Sequence, residues 1–185
     1  MKMTIMMVLS FLFLGCRTLT PLTMAVSKEY SVVTVNYDRP VEDIMVKGNY
    51  RRFSVGDQYK VDLKNFLSDK KGIADLKMKR LCFNSPVRPA RVLLEMNKMG
   101  FAPVNLQELI AYFEKYPLAS EGRGVGALGS LWYDNEGRLF SPAIWGEERI
   151  LGLVELGIKS HERGTEGMVK QGIYEHGHCF VVVPK

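Results

Sequence analysis

Two amphipathic segments in the middle of the chain constrain its fold more than any other feature. The first follows Pro89, which suits the first turn of a helix, and it ends at Gly100. The second starts at Asn105, where Asn105 and Glu108 have the spacing of a capping box, and it stops at Pro117. Because each segment repeats apolar residues every three or four positions, we predict two consecutive helices, an αα-hairpin with one face to bury.

Segments rich in β-branched and aromatic residues supply strands for that hairpin to cover. We place these strands at residues 30–37, 76–83, 125–133, 138–145, 150–158 and 179–183. The chain has 185 residues, of which 46% are apolar and 24% charged, an ordinary composition for a globular protein. That length suits one hydrophobic core. We therefore predict a single α+β domain over residues 26–185, with the helical hairpin packed on a mostly antiparallel sheet.

The apolar positions of these elements predict the core. On the second helix, for example, Leu106, Leu109 and Ile110 share one face with Phe113. The side chains expected to be buried are Leu93, Met96, Leu106, Leu109, Ile110, Phe113, Leu128, Trp132, Leu151, Val154, Phe180 and Val182.

Residues 1–25 form a separate apolar segment. Lys2 and the run that follows it have the charged start and apolar length of a secretion signal, and the run is too short for a membrane-spanning helix. Cys16 follows a glycine, as at the lipidation site of bacterial lipoproteins, and Ala25 offers another cleavage site. A third interpretation starts translation at Met24, from which a hydrophilic stretch leads straight into the first strand. We favour this cytoplasmic start, and export or a lipid anchor at Cys16 is the alternative.

The chain has three cysteines, Cys16, Cys82 and Cys179, which are too few and too far apart for a disulfide framework. In a reducing cytosol we expect Cys82 and Cys179 to be free thiols. Export would allow a disulfide between them if their α-carbons lie within about 7 Å.

Positive charge is concentrated in residues 47–91, where twelve Lys and Arg accompany four Asp in a chain of net charge +5. An anionic partner, such as nucleic acid or a membrane surface, would require these charges to converge on one face. A mixed run of this kind is more often a solvated surface. The candidate anion-binding residues are Arg51, Arg52, Lys70, Lys71, Lys77, Lys79 and Arg80.

A small histidine cluster is the only pattern typical of a metal site. On a strand, His176 and His178 would point to the same side, where two imidazoles could share an ion. His161, Glu162 or Glu166 could complete the site from a glycine-rich loop. Two ligands without a clear third are weak evidence, and the histidines equally suit the polar entry to a strand.

Neither feature provides a nucleophile, base and orienting group in the arrangement that catalysis needs. We therefore predict a non-enzymatic binding or accessory protein without a cofactor, whose partner is a protein or an anionic molecule. One alternative is a nucleic-acid or other anion-binding module that uses residues 47–91. A second is a metal-dependent enzyme that uses His161, His176 and His178.

Several phrases of the sequence resemble those of a family of uncharacterised bacterial proteins. They are VNYDRPVED followed by GNY, MGFAPVNLQELIAYFEKYP, ALGSLW and the apolar end CFVVV. The resemblance implies no activity, cofactor or site residue, but it implies a cytosolic chain that begins near Met24. This sequence departs from the family pattern at Arg51 and Arg52 and at residues 176–178. Both candidate functional features therefore lie where the resemblance is weakest.

Overall fold

A computed structural model of the chain describes residues 24–40, 43, 50–52, 63–119, 124–145, 150–159, 169–171 and 178–185. Both predicted helices are present, as α1 (Pro89–Lys98) and α2 (Leu106–Lys115). The capping box of α2 is formed as expected. The backbone amide of Glu108 donates to the Asn105 side chain, and the backbone amide of Asn105 donates to the Glu108 carboxylate, each at 2.9 Å. The start of α2 is therefore determined by local sequence.

The strands follow the predicted segments closely, with several short additions. They are β1 (Met24–Val26), β2 (Ser31–Asn36), β3 (Arg51–Arg52), β4 (Ile73–Phe83), β5 (Phe101–Pro103), β6 (Val125–Gly126), β7 (Trp132–Tyr133), β8 (Arg138–Trp145), β9 (Ile150–Lys159), β10 (Val169–Gln171) and β11 (Cys179–Pro184). A 3₁₀ turn spans Leu63–Phe66. The strand expected at 125–133 is divided into β6 and β7, since a turn interrupts it between them.

The strands form one mostly antiparallel sheet, and the α+β fold class is confirmed. Strand β4 pairs with β2 over its first half and with β1 and β11 over its second half. The sheet continues from β11 through β6, β8 and β9 to β10. Among the strands that the structure describes, two pairings are parallel, β11 with β6 and β3 with β9.

The helices cover opposite faces of this sheet, in contrast to the hairpin expected on one face. Helix α2 packs with Met78, Cys82 and Val181 in one apolar cluster. Helix α1 packs with Leu81, Phe83, Phe180 and Val182 in a second cluster, which lies on the alternate positions of the same strands. The difference arises because the connection between the helices contains a strand, β5, which pairs with β11 at the level of the sheet. The chain therefore passes from one face of the sheet to the other between α1 and α2.

The predicted core is largely confirmed. Of the twelve side chains expected to be buried, nine are, and Leu93, Trp132 and Val154 are half-buried. Met24 and Ala25, which we assigned to the N-terminal segment, belong to β1 and pair with Phe83 and Cys82. The rest of that segment, residues 1–23, lies outside the described residues. No helix in the described part of the chain is long and apolar enough to cross a membrane.

Candidate ligand-binding cleft at the start of helix α2

A cleft of about 350 Å³ opens over the N-terminal end of α2. One wall is the 3₁₀ turn and the residues that follow it, and the other is the turn that separates β6 from β7. The lining residues are Asn65, Phe66, Leu67, Ser68, Asp69, Lys70, Pro103, Asn105, Glu108, Gly129, Ser130 and Leu131. The lining thus combines hydrogen-bonding groups with exposed apolar side chains at Leu67 and Leu131.

The Glu108 carboxylate is the most buried charged group of the cleft, with 2% of its surface exposed. It accepts hydrogen bonds from the Tyr37 hydroxyl at 2.6 Å and from the Asn105 amide at 2.9 Å. It also forms an ion pair with the Lys70 ammonium group at 2.8 Å. Burial of the phenol, followed by its hydrogen bond to Glu108 and the charge of that carboxylate, raises the pKa of Tyr37 well above its ordinary value.

Buried hydrogen bonds attach both walls of the cleft to the first turn of α2. The Ser130 hydroxyl accepts from the Leu106 amide and donates to the Phe66 carbonyl, each at 2.9 Å. The Gln107 side-chain carbonyl accepts from the Ser68 amide at 3.1 Å, and its amide donates to the Tyr37 carbonyl at 2.9 Å. Because these groups are satisfied within the protein, the cleft is preformed.

From the sequence, Glu108 is assigned only to the capping box, and Tyr37, Gln107 and Ser130 are not identified as parts of a site. The phrase ALGSLW contained the available signal. Its Gly129 packs against the connection between β5 and α2. A β-carbon on Gly129 would lie 2.6 Å from the Val104 carbonyl oxygen in that connection. A glycine required by such close backbone contact indicates two segments packed together, but the sequence does not say which segments they are.

Of the candidate anion-binding residues whose side chains the structure describes, Lys70 is the one that lines the cleft. Its side chain is 57% exposed at the rim, and its ammonium group lies 5.4 Å from the centre of the Tyr37 ring. Lys70 therefore lies at the rim of the cleft, where its ammonium group contacts both the Glu108 carboxylate and the Tyr37 ring.

The other basic residues are distributed over several surfaces. Lys77 and Lys79 lie on one face of β4, whereas Arg80 points to the other face and donates to the Ala119 carbonyl. Lys71 is exposed just before β4. Arg51 and Arg52 form β3 beside β9, and their side chains lie outside the described residues. The anion-binding hypothesis for the whole set stays a prediction.

The metal hypothesis also stays a prediction, because His161 and His176 lie outside the described residues. His178 is half-buried just before β11, and its backbone carbonyl accepts from the Phe83 amide at 3.0 Å. Within the described ranges, no group of three or more His, Cys, Asp or Glu side chains is arranged to hold a metal ion.

Cys82 and Cys179 form a disulfide bond between directly paired positions of β4 and β11. Their α-carbons are 4.0 Å apart, which meets the condition stated from the sequence. Both residues are buried, with 7% and 2% of their surfaces exposed. The bond therefore joins two central strands within the core that α2 covers.

The fold and the cleft define a single α+β domain with a preformed polar cleft and one buried disulfide. A scan against protein-family models finds no match, and neither does a search of curated proteins or of solved structures. The resemblance to an uncharacterised bacterial family consequently stays a prediction.

Proposed function

We propose that the protein is a non-enzymatic binding protein that holds a small, neutral, hydrogen-bonding molecule in the cleft at the start of α2. The observation that carries this proposal is a cleft of about 350 Å³ whose two walls are fixed to one helix by buried hydrogen bonds. Binding to a preformed site avoids the entropic cost of ordering it. The volume falls within the range of about 300–1,000 Å³ that is usual for small-molecule sites.

The chemistry of the lining favours a neutral ligand. A bound anion would be attracted by Lys70 and by the positive end of the α2 dipole, but it would be repelled by the Glu108 carboxylate. A bound cation would be attracted by the Glu108 carboxylate, but it would be repelled by Lys70 and by the positive end of the α2 dipole. Hydroxyl or amide groups of the ligand would instead find partners on Asn65, Ser68 and Lys70. Leu67 and Leu131 would contact its apolar side.

Two titratable groups, Glu108 in the lining of the cleft and Tyr37 hydrogen-bonded behind it, also support binding over catalysis. Glu108 accepts three hydrogen bonds from groups that position α2 and the cleft walls. Tyr37 has a raised pKa, so its hydroxyl stays protonated across the physiological range. General acid and base catalysts work best when their pKa lies near the operating pH. The raised pKa of Tyr37 suits its hydroxyl to holding the cleft together, and Glu108 serves the same purpose through the hydrogen bonds that it accepts.

An NMR-detected titration tests this proposal with a panel of neutral monosaccharides, polyols and small amides as probes. We expect at least one probe to shift the amide resonances of Ser68, Lys70 and Leu131. The variant Leu131→Trp fills the mouth of the cleft and should abolish the shifts. The matched control Leu118→Trp changes another exposed leucine, which does not line the cleft, and should retain them. Shifts that persist in Leu131→Trp, or a panel without any effect, would contradict the proposal.

We further propose that the protein works in an oxidising compartment, which favours export over the cytoplasmic start at Met24. The buried Cys82–Cys179 bond supports this, since structural disulfides persist outside the reducing cytosol. Among the export routes, cleavage after Ala25 would remove two of the three residues of β1. Processing at Cys16 would leave that strand complete.

Intact mass spectrometry of protein from its own host tests the compartment proposal. The sample is alkylated before and after reduction, so that paired and free cysteines differ in mass. We expect Cys82 and Cys179 to resist alkylation until they are reduced, and the chain to begin at a lipid-modified Cys16. Two freely alkylated thiols on a chain that begins at Met24 or Ala25 would establish the cytoplasmic alternative.

A further inference from the structure

One face of β4 is only partly covered by the part of the chain that the structure describes. Helix α1 packs over Leu81 and Phe83 at the C-terminal end of the strand. The side chains that precede them on the same face, Ile73, Asp75 and Lys77, are exposed, and Lys79 is half-buried. The neighbouring positions are Val32, which pairs with Lys77, and Thr34, which pairs with Asp75. We call this surface the open face and define it by Tyr30, Val32, Thr34, Ile73, Asp75, Lys77 and Lys79.

The open face combines apolar and cationic side chains. Ile73 is 70% exposed, Val32 47% and Tyr30 45%, which are high values for large apolar residues on a sheet. The Lys79 ammonium group lies 4.2 Å from the centre of the Tyr30 ring. The single carboxylate among them, Asp75, accepts a hydrogen bond from Thr34 at 2.6 Å.

We propose that the open face docks on an anionic lipid surface. The aliphatic side chains of Ile73 and Val32 would enter the boundary between headgroups and acyl chains, and Lys77 and Lys79 would contact the anionic headgroups. The face exposes two aliphatic side chains, Ile73 and Val32, and a single aromatic ring, Tyr30, which favours lipid over single-stranded nucleic acid, whose bases stack on aromatic platforms. This inference is independent of the cleft.

In the lipid-anchored form of the protein, the segment between Cys16 and β1 would tether the domain to a membrane. Strand β1 begins at Met24, which pairs with Phe83 at the covered end of β4, and it leads through residues 27–29 to Tyr30 of the open face. From Cys16 to Met24 the chain spans eight steps, which reach at most about 28 Å when fully extended. A lipid on Cys16 would therefore keep the start of β1 within about 28 Å of the bilayer, where a weak second contact made by the domain strengthens attachment.

A vesicle-binding experiment with the full chain tests the proposal. Binding is measured on phosphatidylcholine vesicles with and without 30% phosphatidylglycerol, so that the contribution of the apolar N-terminal segment is common to both. We expect stronger binding to the anionic vesicles. The variant Lys77→Glu/Lys79→Glu should weaken this gain about thirtyfold or more, since each lysine near an anionic surface contributes about fivefold. A second variant, Ile73→Ser, alters a highly exposed side chain without disturbing the core and should weaken it about fivefold.

The matched control is Arg88→Glu/Lys185→Glu, which makes the same change in charge at exposed residues outside the open face. Thermal unfolding followed by circular dichroism verifies that every variant is folded. Equal binding to both vesicle types, or an equal loss in the control, would overturn the proposal. Binding of a single-stranded 20-nucleotide probe is measured in parallel. Loss of that binding in the lysine variant, with vesicle binding unchanged, would assign the face to nucleic acid and equally overturn the proposal.

Discussion

Alternate residues of β4 meet two different environments. On one face, Leu76, Met78 and Cys82 pack into the core that α2 covers, and Ala74 continues it toward the start of the strand. On the other face, only the C-terminal end lies under α1. Beyond α1 the same face changes to charged and exposed side chains. One strand therefore has a structural side along its whole length and a second side that is structural at one end only.

This difference follows from where each helix lies on the sheet and not from its length. Both helices have ten residues, but α2 packs in a cluster with Val33, Val35 and Met78, whereas α1 packs with Leu81, Phe83 and Val182. On this side of β4, the apolar residues Leu81 and Phe83 give way to charged residues where the contact with α1 ends. If the two faces differ as described, equivalent substitutions on them should have very different costs.

The largest expected effect is that of Phe83→Ala. Phe83 lies on the same side of β4 as the open face, at the end that α1 covers. Phe83 is fully buried and contacts the Phe180 ring edge-to-face at 5.9 Å between ring centres. We expect the free energy of unfolding to fall by about 3–5 kcal/mol in urea denaturation, because a large cavity is created. The control Ile73→Ala, on the exposed end of the same face, should change it by less than about 0.5 kcal/mol. Similar losses at both positions would show that the open face is covered in solution.

A smaller loss is expected from removing the disulfide in the covered core. The double variant Cys82→Ala/Cys179→Ala releases a loop with a sequence separation of 97 residues. We expect it to lower the free energy of unfolding by about 2–4 kcal/mol. Reduction of the parent protein should lower its urea midpoint in the same direction and leave the double variant unchanged. If the variant is as stable as the parent, α2 alone holds β4 and β11 together.

The next effect concerns a buried hydroxyl that donates to a carboxylate. Tyr37→Phe removes the hydrogen bond to Glu108 and should cost about 1.5–3 kcal/mol. Because the folded-state pKa of Tyr37 is raised, its contribution to stability is complete below the ordinary tyrosine pKa of about 10 and is lost as the pH rises above it. Unfolding measured from pH 8 to 11 should therefore show a steeper alkaline loss in the parent than in Tyr37→Phe. Parallel curves would contradict the raised pKa, and Tyr30→Phe on the open face serves as the matched control.

The smallest effect is expected from a second hydroxyl–carboxylate hydrogen bond, which lies on the open face. Thr34 donates to Asp75 at 2.6 Å, with both residues exposed. Thr34→Val removes this hydrogen bond and keeps the β-branched shape, so the free energy of unfolding should change by less than about 0.5 kcal/mol. Compared with Tyr37→Phe, it measures how much burial strengthens the same kind of bond. An equal cost for both substitutions would show that the two faces are equally protected from water.

Elements with a local signal were predictable from the sequence, whereas the cleft was not. The capping pair Asn105 and Glu108 lies within one helical turn, and its geometry is as expected. The cleft combines Lys70, Glu108 and Ser130, which are widely separated along the chain. Periodicity and capping rules carry no information on which distant segments meet. For the same reason, the sequence did not reveal that Tyr37 and Lys70 share one carboxylate.

The sequence by itself determined the two helices, most of the strands, the α+β class and most of the core, because these depend on spacings of two to four residues. It also limited the pairing of Cys82 and Cys179 to a condition on distance. Only the tertiary structure decided that the condition is met, that the helices cover opposite faces, and that α1 leaves part of β4 exposed. Each of these depends on the pairing of β5 with β11 and of β11 with β4, which are contacts between segments distant in sequence. Such contacts are stabilised by the burial of apolar surface between distant segments, and a local sequence pattern does not show which segments meet.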